Sequence, residues 1–113
     1  MKRLLIAATL ASFALVSHAA DVKKGQELVA KGNCAACHGE GLNKPVAPEY
    51  PKLAGQHADY LFHALKAYKT VNHPNVGRSN AIMAGQVAAF TNKDLQDMAA
   101  YISSLPSTLV MKK

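Results

Sequence analysis

Cys34-Ala35-Ala36-Cys37-His38 is the stretch on which the fold of this 113-residue chain turns. The chain has two cysteines in all, so a multi-disulfide scaffold is excluded. Four chemistries use such a pair. A thioredoxin-like redox couple needs a strand–helix setting, and no segment downstream of residue 20 alternates like a strand. A structural zinc site needs four ligands, usually from two paired motifs, and one pair is present. A plain disulfide leaves His38 incidental. The fourth chemistry uses every part. Two thiols add across two haem vinyl groups as thioethers, the two-residue gap sets their separation, and the adjacent histidine is carried under the iron as proximal ligand. The stretch therefore reads as a c-type haem attachment site.

Upstream of it, Met1-Lys2-Arg3 is a short basic start. Leu4 to Val16 is apolar except for Thr9 and Ser12, and Ser17-His18-Ala19 follows. This is the order of a secretory signal, expected over residues 1–19 and cleaved after Ala19, with Ala20 as the alternative. The apolar run is 13 residues, or ~20 Å as a helix, too short for the ~30 Å core of a bilayer. Removal leaves a single domain over residues 20–113 and lowers the net charge from +6 to +4. No later apolar segment exceeds a few residues, so the expectation is a soluble, periplasmic protein without membrane insertion. A domain this short buries only ~60–65% of its unfolded surface. A large bound cofactor would supply core mass that one cysteine pair cannot.

Downstream, the pattern is helical. Asp21 caps a helix predicted over Val22–Lys31 and stopped at Gly32, with Gly25 in its middle. Residues 33–55 carry Gly39, Gly41, Pro45, Pro48 and Pro51 and read as loop. A second helix is predicted over about residues 57–70, where Leu61, Leu65 and Tyr68 recur at helical spacing. Ala81-Ile82-Met83 is a short apolar island after a polar loop. Thr91 with Asp94 resembles a capping box, and Leu95, Met98, Ala99, Ile102 and Leu105 keep one stripe until Pro106. The class is all-α, with three main helices and short ones between.

These residues together resemble the class I c-type cytochromes, over about Asp21 to Leu105. The resemblance rests on Gly25, on the Cys34, Cys37 and His38 triplet, on Pro51 and Leu53, on the Met83 island and on Tyr101. Pro51 to Gln56 and Arg78 to Gly85 are most similar to one half of the bacterial dihaem cytochromes c. The resemblance implies a fold wrapped around one covalent haem c per chain, with the first and last helices crossing at Gly25 and Tyr101. It also implies that the Pro51 carbonyl accepts the Nδ1 proton of His38, fixing its orientation.

The sixth iron ligand must come from Met83, Met98, Met111, His57, His63 or His73. Met98 lies on an apolar stripe and Met111 in a basic tail. His63 lies opposite its helix's apolar face, His57 begins that helix, and His73 precedes Pro74 in a polar loop. Met83 has turn residues on both sides, and the family places its methionine there too. It is the expected distal ligand, the alternatives being a vacant site or a histidine. Leu53, Ile82 and Tyr50 are candidate pocket wall. Arg78 is either a partner for a haem propionate or a solvated charge, and Asn80 reads as a surface amide, with donation to the Met83 sulfur as the alternative. His/Met ligation raises the reduction potential and leaves no open site. The expected function is thus one-electron transfer, not catalysis, by a monomer that meets acidic partners such as a membrane oxidase, reductase or dehydrogenase. A labile Met83 serving peroxide or small-gas chemistry, or a fixed electron-transfer subunit of a larger complex, are the competing readings. The lysines form no basic cluster suited to nucleic acid.

Overall fold

The computed structural model describes residues 19–70, 73 and 75–108. The expected export signal, apart from Ala19, and Met111 lie outside the described residues. Five helices follow one another: α1 (Val22–Lys31), α2 (Ala35–His38), α3 (Ala58–Ala67), α4 (Ala81–Val87) and α5 (Asn92–Ser104), with a 3₁₀ turn at Glu40–Leu42. Among the described residues there is no strand, and the all-α reading holds.

The caps explain the boundaries. The Asp21 carboxylate accepts the Lys24 N–H at 2.9 Å at the start of α1. At its end Gly32 is the cap, as expected, but the left-handed residue is Asn33, with φ 51°. Asparagine tolerates that region next best after glycine. The capping box of α5 is complete, with Thr91 and Asp94 each accepting the other's backbone N–H. Two expectations need correction. The loop read over residues 33–55 contains α2, a single turn too short for periodicity to reveal. The helix read over residues 57–70 stops at Ala67, because the tighter bonds Lys69 N–H to Lys66 O and Thr70 N–H to Ala67 O end it.

The most extensive helix contact is between α1 and α5, followed by α3 with α5. Leu28 and Val29 of α1, Leu61 and Leu65 of α3, Val87 and Phe90, and Leu95, Met98, Ala99 and Ile102 of α5 form one core. Burying each Leu or Ile contributes ~1.5–3 kcal/mol. Met98 is 2% exposed and packs there, as its stripe predicted. The α1–α5 crossing depends on Gly25. A Cβ at this position would lie 1.9 Å from the Asp97 carbonyl oxygen and 2.9 Å from the Tyr101 Cβ. No side chain fits between the two backbones, which is the close approach expected of a mid-helix glycine beside Tyr101.

The same crossing holds a buried carboxylate. Asp97 is 3% exposed, accepts the Asp21 N–H at 2.8 Å and pairs with the Lys93 ammonium. Burial works to raise its pKa. The Lys93 hydrogen bond, the Asp21 N–H and the charges of Lys93 and Lys24 outweigh that and hold it below the ordinary carboxylate value. A lowered folded-state pKa contributes stability above the unfolded value of ~4, lost as pH falls through the folded value. Asp97→Asn should therefore lower stability by about 2 kcal/mol at neutral pH, the size of one charge-assisted hydrogen bond. Thermal melts should show the gap between variant and wild type closing below about pH 4. A gap that stays constant across that range would refute the assignment.

Candidate haem site

The attachment turn is built by α2. Cys34 is its N-cap residue, and Cys37 and His38 lie on the same turn, closed by the His38 N–H to the Cys34 carbonyl at 3.0 Å. Gly39 then takes φ 81°, and a Cβ there would fall 1.6 Å from the Lys44 carbonyl oxygen. The chain thus reverses tightly behind the histidine, and the Val46 N–H returns to the Cys37 carbonyl at 3.0 Å.

His38 is buried, at 7% exposed, and its Nδ1 is 2.8 Å from the Pro51 carbonyl oxygen. That contact places the proton on Nδ1 and leaves Nε2 as the nitrogen available to a metal. The Pro51 carbonyl is itself held by the segment after it. The Leu53 and Ala54 N–H groups donate to the Leu42 carbonyl at 2.9 and 3.2 Å, and the Gly55 N–H donates to Ile102 of α5 at 3.0 Å. Leu42 has φ 54°, a left-handed conformation that costs a leucine on the order of 1 kcal/mol. Its carbonyl gains two donors in return, and its side chain is buried. The Tyr50 ring meets the His38 imidazole edge-on, with centroids 6.3 Å apart.

Both thiols are free and partly buried. Burial pushes the Cys34 thiol up, and the Cys37 sulfur beside it adds to the effect against a backbone hydrogen bond. The thiolate is the attacking species in disulfide formation, so a raised pKa keeps Cys34 a thiol at neutral pH. Among the described residues no three His, Cys, Asp or Glu side chains gather as a metal site, so the pair has no partners for a zinc tetrahedron. Two free thiols on one turn with an Nδ1-anchored histidine fit a covalently attached haem.

Of the remaining predicted residues, Leu53 and Met83 are partly buried against the core, while Ile82 is 56% exposed. The apolar island of Met83 is the first turn of α4. Asn80 is the cap of that helix, its side-chain oxygen accepting the Met83 N–H at 3.0 Å. An Asn three residues before Met83 is a capping signal present in the sequence. Arg78 is exposed but not merely solvated, for it lies against Tyr60 and Tyr68 of the α3 region. Sequence reasoning missed Tyr60, Asp97 and the Leu42 carbonyl. Lys93 and Asp97 stand four apart on α5, a pairing signal open to inspection; the other two owe their roles to tertiary contacts.

A helical domain with one Cys-x-x-Cys-His turn, its histidine anchored through Nδ1 on a proline carbonyl, defines a haem c domain. The family model described as Cytochrome c matches residues 22–106. Cytochrome c4 of Stutzerimonas stutzeri is 44% identical over 94 residues, which cover 79% of this chain and 43% of that protein. Cytochrome c-554(548) of Halomonas halodenitrificans is 37% identical over 86 residues, covering 76% of this chain and 98% of that protein. The crystal structure of reduced recombinant cytochrome c4 from Pseudomonas stutzeri is similar with a TM-score of 0.70 and 38% identity, over 80% of this chain and 48% of that one. The chain belongs to the cytochrome c family and has its class I fold. It spans about half the length of the cytochromes c4 it matches. Covalently bound haem c is its cofactor, and a single domain fits one haem per chain.

Proposed function

We propose that this chain is an exported, periplasmic one-electron carrier whose iron is held between His38 and Met83. The observation that carries the reading is the attachment turn, with the His38 Nδ1 fixed 2.8 Å from the Pro51 carbonyl. When bound, haem c supplies a one-electron Fe(III)/Fe(II) couple. The chain's own residues set how that couple is used. Cys34 and Cys37 hold the group irreversibly, so it is retained through each cycle. Pro51 fixes the orientation of the His38 ring. Met83 adds a soft thioether that favours the reduced state. With His38 and Met83 both holding the iron, no position would remain for peroxide or oxygen, which supports a carrier over an enzyme.

The excess of lysine over acid supports an acidic partner, met by electrostatic steering and released as salt screens the contact. The chain matches nearly the whole of one relative, which supports a stand-alone haem domain over a fixed subunit, and a monomer is part of the proposal. Among the described residues no helix is long and apolar enough to cross a membrane. A potentiometric titration of the purified protein, followed by carbon monoxide addition to the ferrous form, tests the reading. It predicts one wave of one electron and no carbon monoxide spectrum at neutral pH. A carbon monoxide complex would favour small-gas or peroxide chemistry instead.

A further inference from the structure

Arg78 lies in the loop that joins α3 to α4, and its surroundings are unusual for an exposed side chain. Its guanidinium carbon is 5.5 Å from the Tyr60 ring centre and 5.6 Å from that of Tyr68. Nη2 donates to the Tyr60 hydroxyl at 2.9 Å, and Nη1 reaches the Tyr68 hydroxyl at 3.5 Å. The Arg78 backbone N–H donates to the Ala67 carbonyl at 3.1 Å, at the end of α3. The preceding residue presses the loop onto the same place. Gly77 has φ 91°, and a Cβ there would lie 2.7 Å from the Thr70 carbonyl oxygen. Two adjacent residues therefore dock the loop on the C-terminal end of α3.

The docking matters because, apart from the partial packing of Met83 on the core, the first turn of α4 is exposed. The buried residue of α4 is Val87, at its far end. Ala81 and Ile82 are exposed and Met83 is only half-buried. Asn80, two residues after Arg78, caps the helix on the Met83 N–H. The start of α4 is thus placed by the loop that feeds it together with the partial packing of Met83 against the core.

We propose that Arg78, gripped by Tyr60 and Tyr68, is a positioning residue for Met83, fixing the first turn of α4 so that the distal sulfur stays on the iron. The inference rests on the reading of Met83 as the distal ligand. A looser clamp lets the first turn move, the sulfur leaves more readily, and an added ligand competes better for its place.

The test is an imidazole titration of the ferric, haem-loaded protein. It compares wild type with Arg78→Gln, Arg78→Lys, the double variant Tyr60→Leu/Tyr68→Leu, and Met83→Ala. The clamp predicts imidazole affinity on the order of tenfold higher in Arg78→Gln, the scale of two exposed cation–π contacts. The double tyrosine variant should show a similar gain, and Arg78→Lys a smaller one. Wild-type imidazole affinity in Arg78→Gln overturns the clamp, whether or not its melting temperature falls. A change confined to the reduction potential, with the tyrosine variant like wild type, also overturns it and marks Arg78 as the partner of a haem propionate. Met83→Ala separates the two levels. If it too binds imidazole like wild type, the distal assignment fails and the clamp with it. If it gains affinity while Arg78→Gln does not, the clamp alone fails.

Discussion

Replacing Cys34 and Cys37 together by serine should leave a chain that retains no haem after denaturing extraction and has lost its helical circular dichroism at room temperature. The attachment turn owes its place to few contacts of its own. Its buried residue is His38, and its longer-range ties are the Pro51 carbonyl and the Val46 N–H. The protein core behind it consists of α1, α3 and α5 side chains, with Leu42, Val87 and Phe90. A domain of this length sits near marginal stability before its cofactor is counted. The expected loss, on the order of 5 kcal/mol, equals the whole stability of a small domain. Single variants should keep the haem by the remaining thioether and lose less. A double variant with native helicity and a melting temperature within a few degrees of wild type would show that α1, α3 and α5 suffice.

The second large effect is expected from Met83→Ala. Met83 packs against the core and its N–H is fixed by Asn80. On the proposed His38/Met83 ligation, removing its thioether takes away the soft ligand that favours the reduced state. The reduction potential should fall by on the order of 100 mV, a fraction of the roughly 0.8 V over which axial ligands tune haem. The ferrous variant should bind carbon monoxide, while the fold persists, because Met83 is only partly buried and Val87 anchors α4. Potentiometry together with carbon monoxide difference spectra checks both. An unchanged potential would place the distal ligand elsewhere, with His57, His63 and His73 as the remaining histidines; all three are exposed.

What was legible in the sequence was whatever chemistry is local. The Cys34, Cys37 and His38 triplet is legible as a motif because its three residues lie within one turn. The last helix could be read because Thr91 and Asp94 announce its start and five apolar residues keep its stripe. Gly25 could be read because a glycine in mid-helix needs a reason, and the Asp97 backbone against it is that reason. Other features were not legible. A four-residue helix leaves no periodicity, so α2 disappeared into a loop. The start of α4 turns on Asn80, a residue type that suits a surface amide as well as a helix cap. The burial of Asp97 leaves no local trace in the sequence, because Asp21, whose N–H it accepts, is 76 residues away. Arg78 was expected beside a propionate or in solvent, and its two tyrosines became neighbours only when the loop folded back on α3.

The absorption spectrum of the purified ferric protein at neutral pH tests the central claim most directly. A methionine sulfur on ferric haem gives a weak charge-transfer band at the red edge of the visible range. The His38/Met83 account predicts that band in the wild-type protein and its loss in Met83→Ala. A wild-type protein without the band, or a Met83→Ala variant that keeps it, would contradict the account.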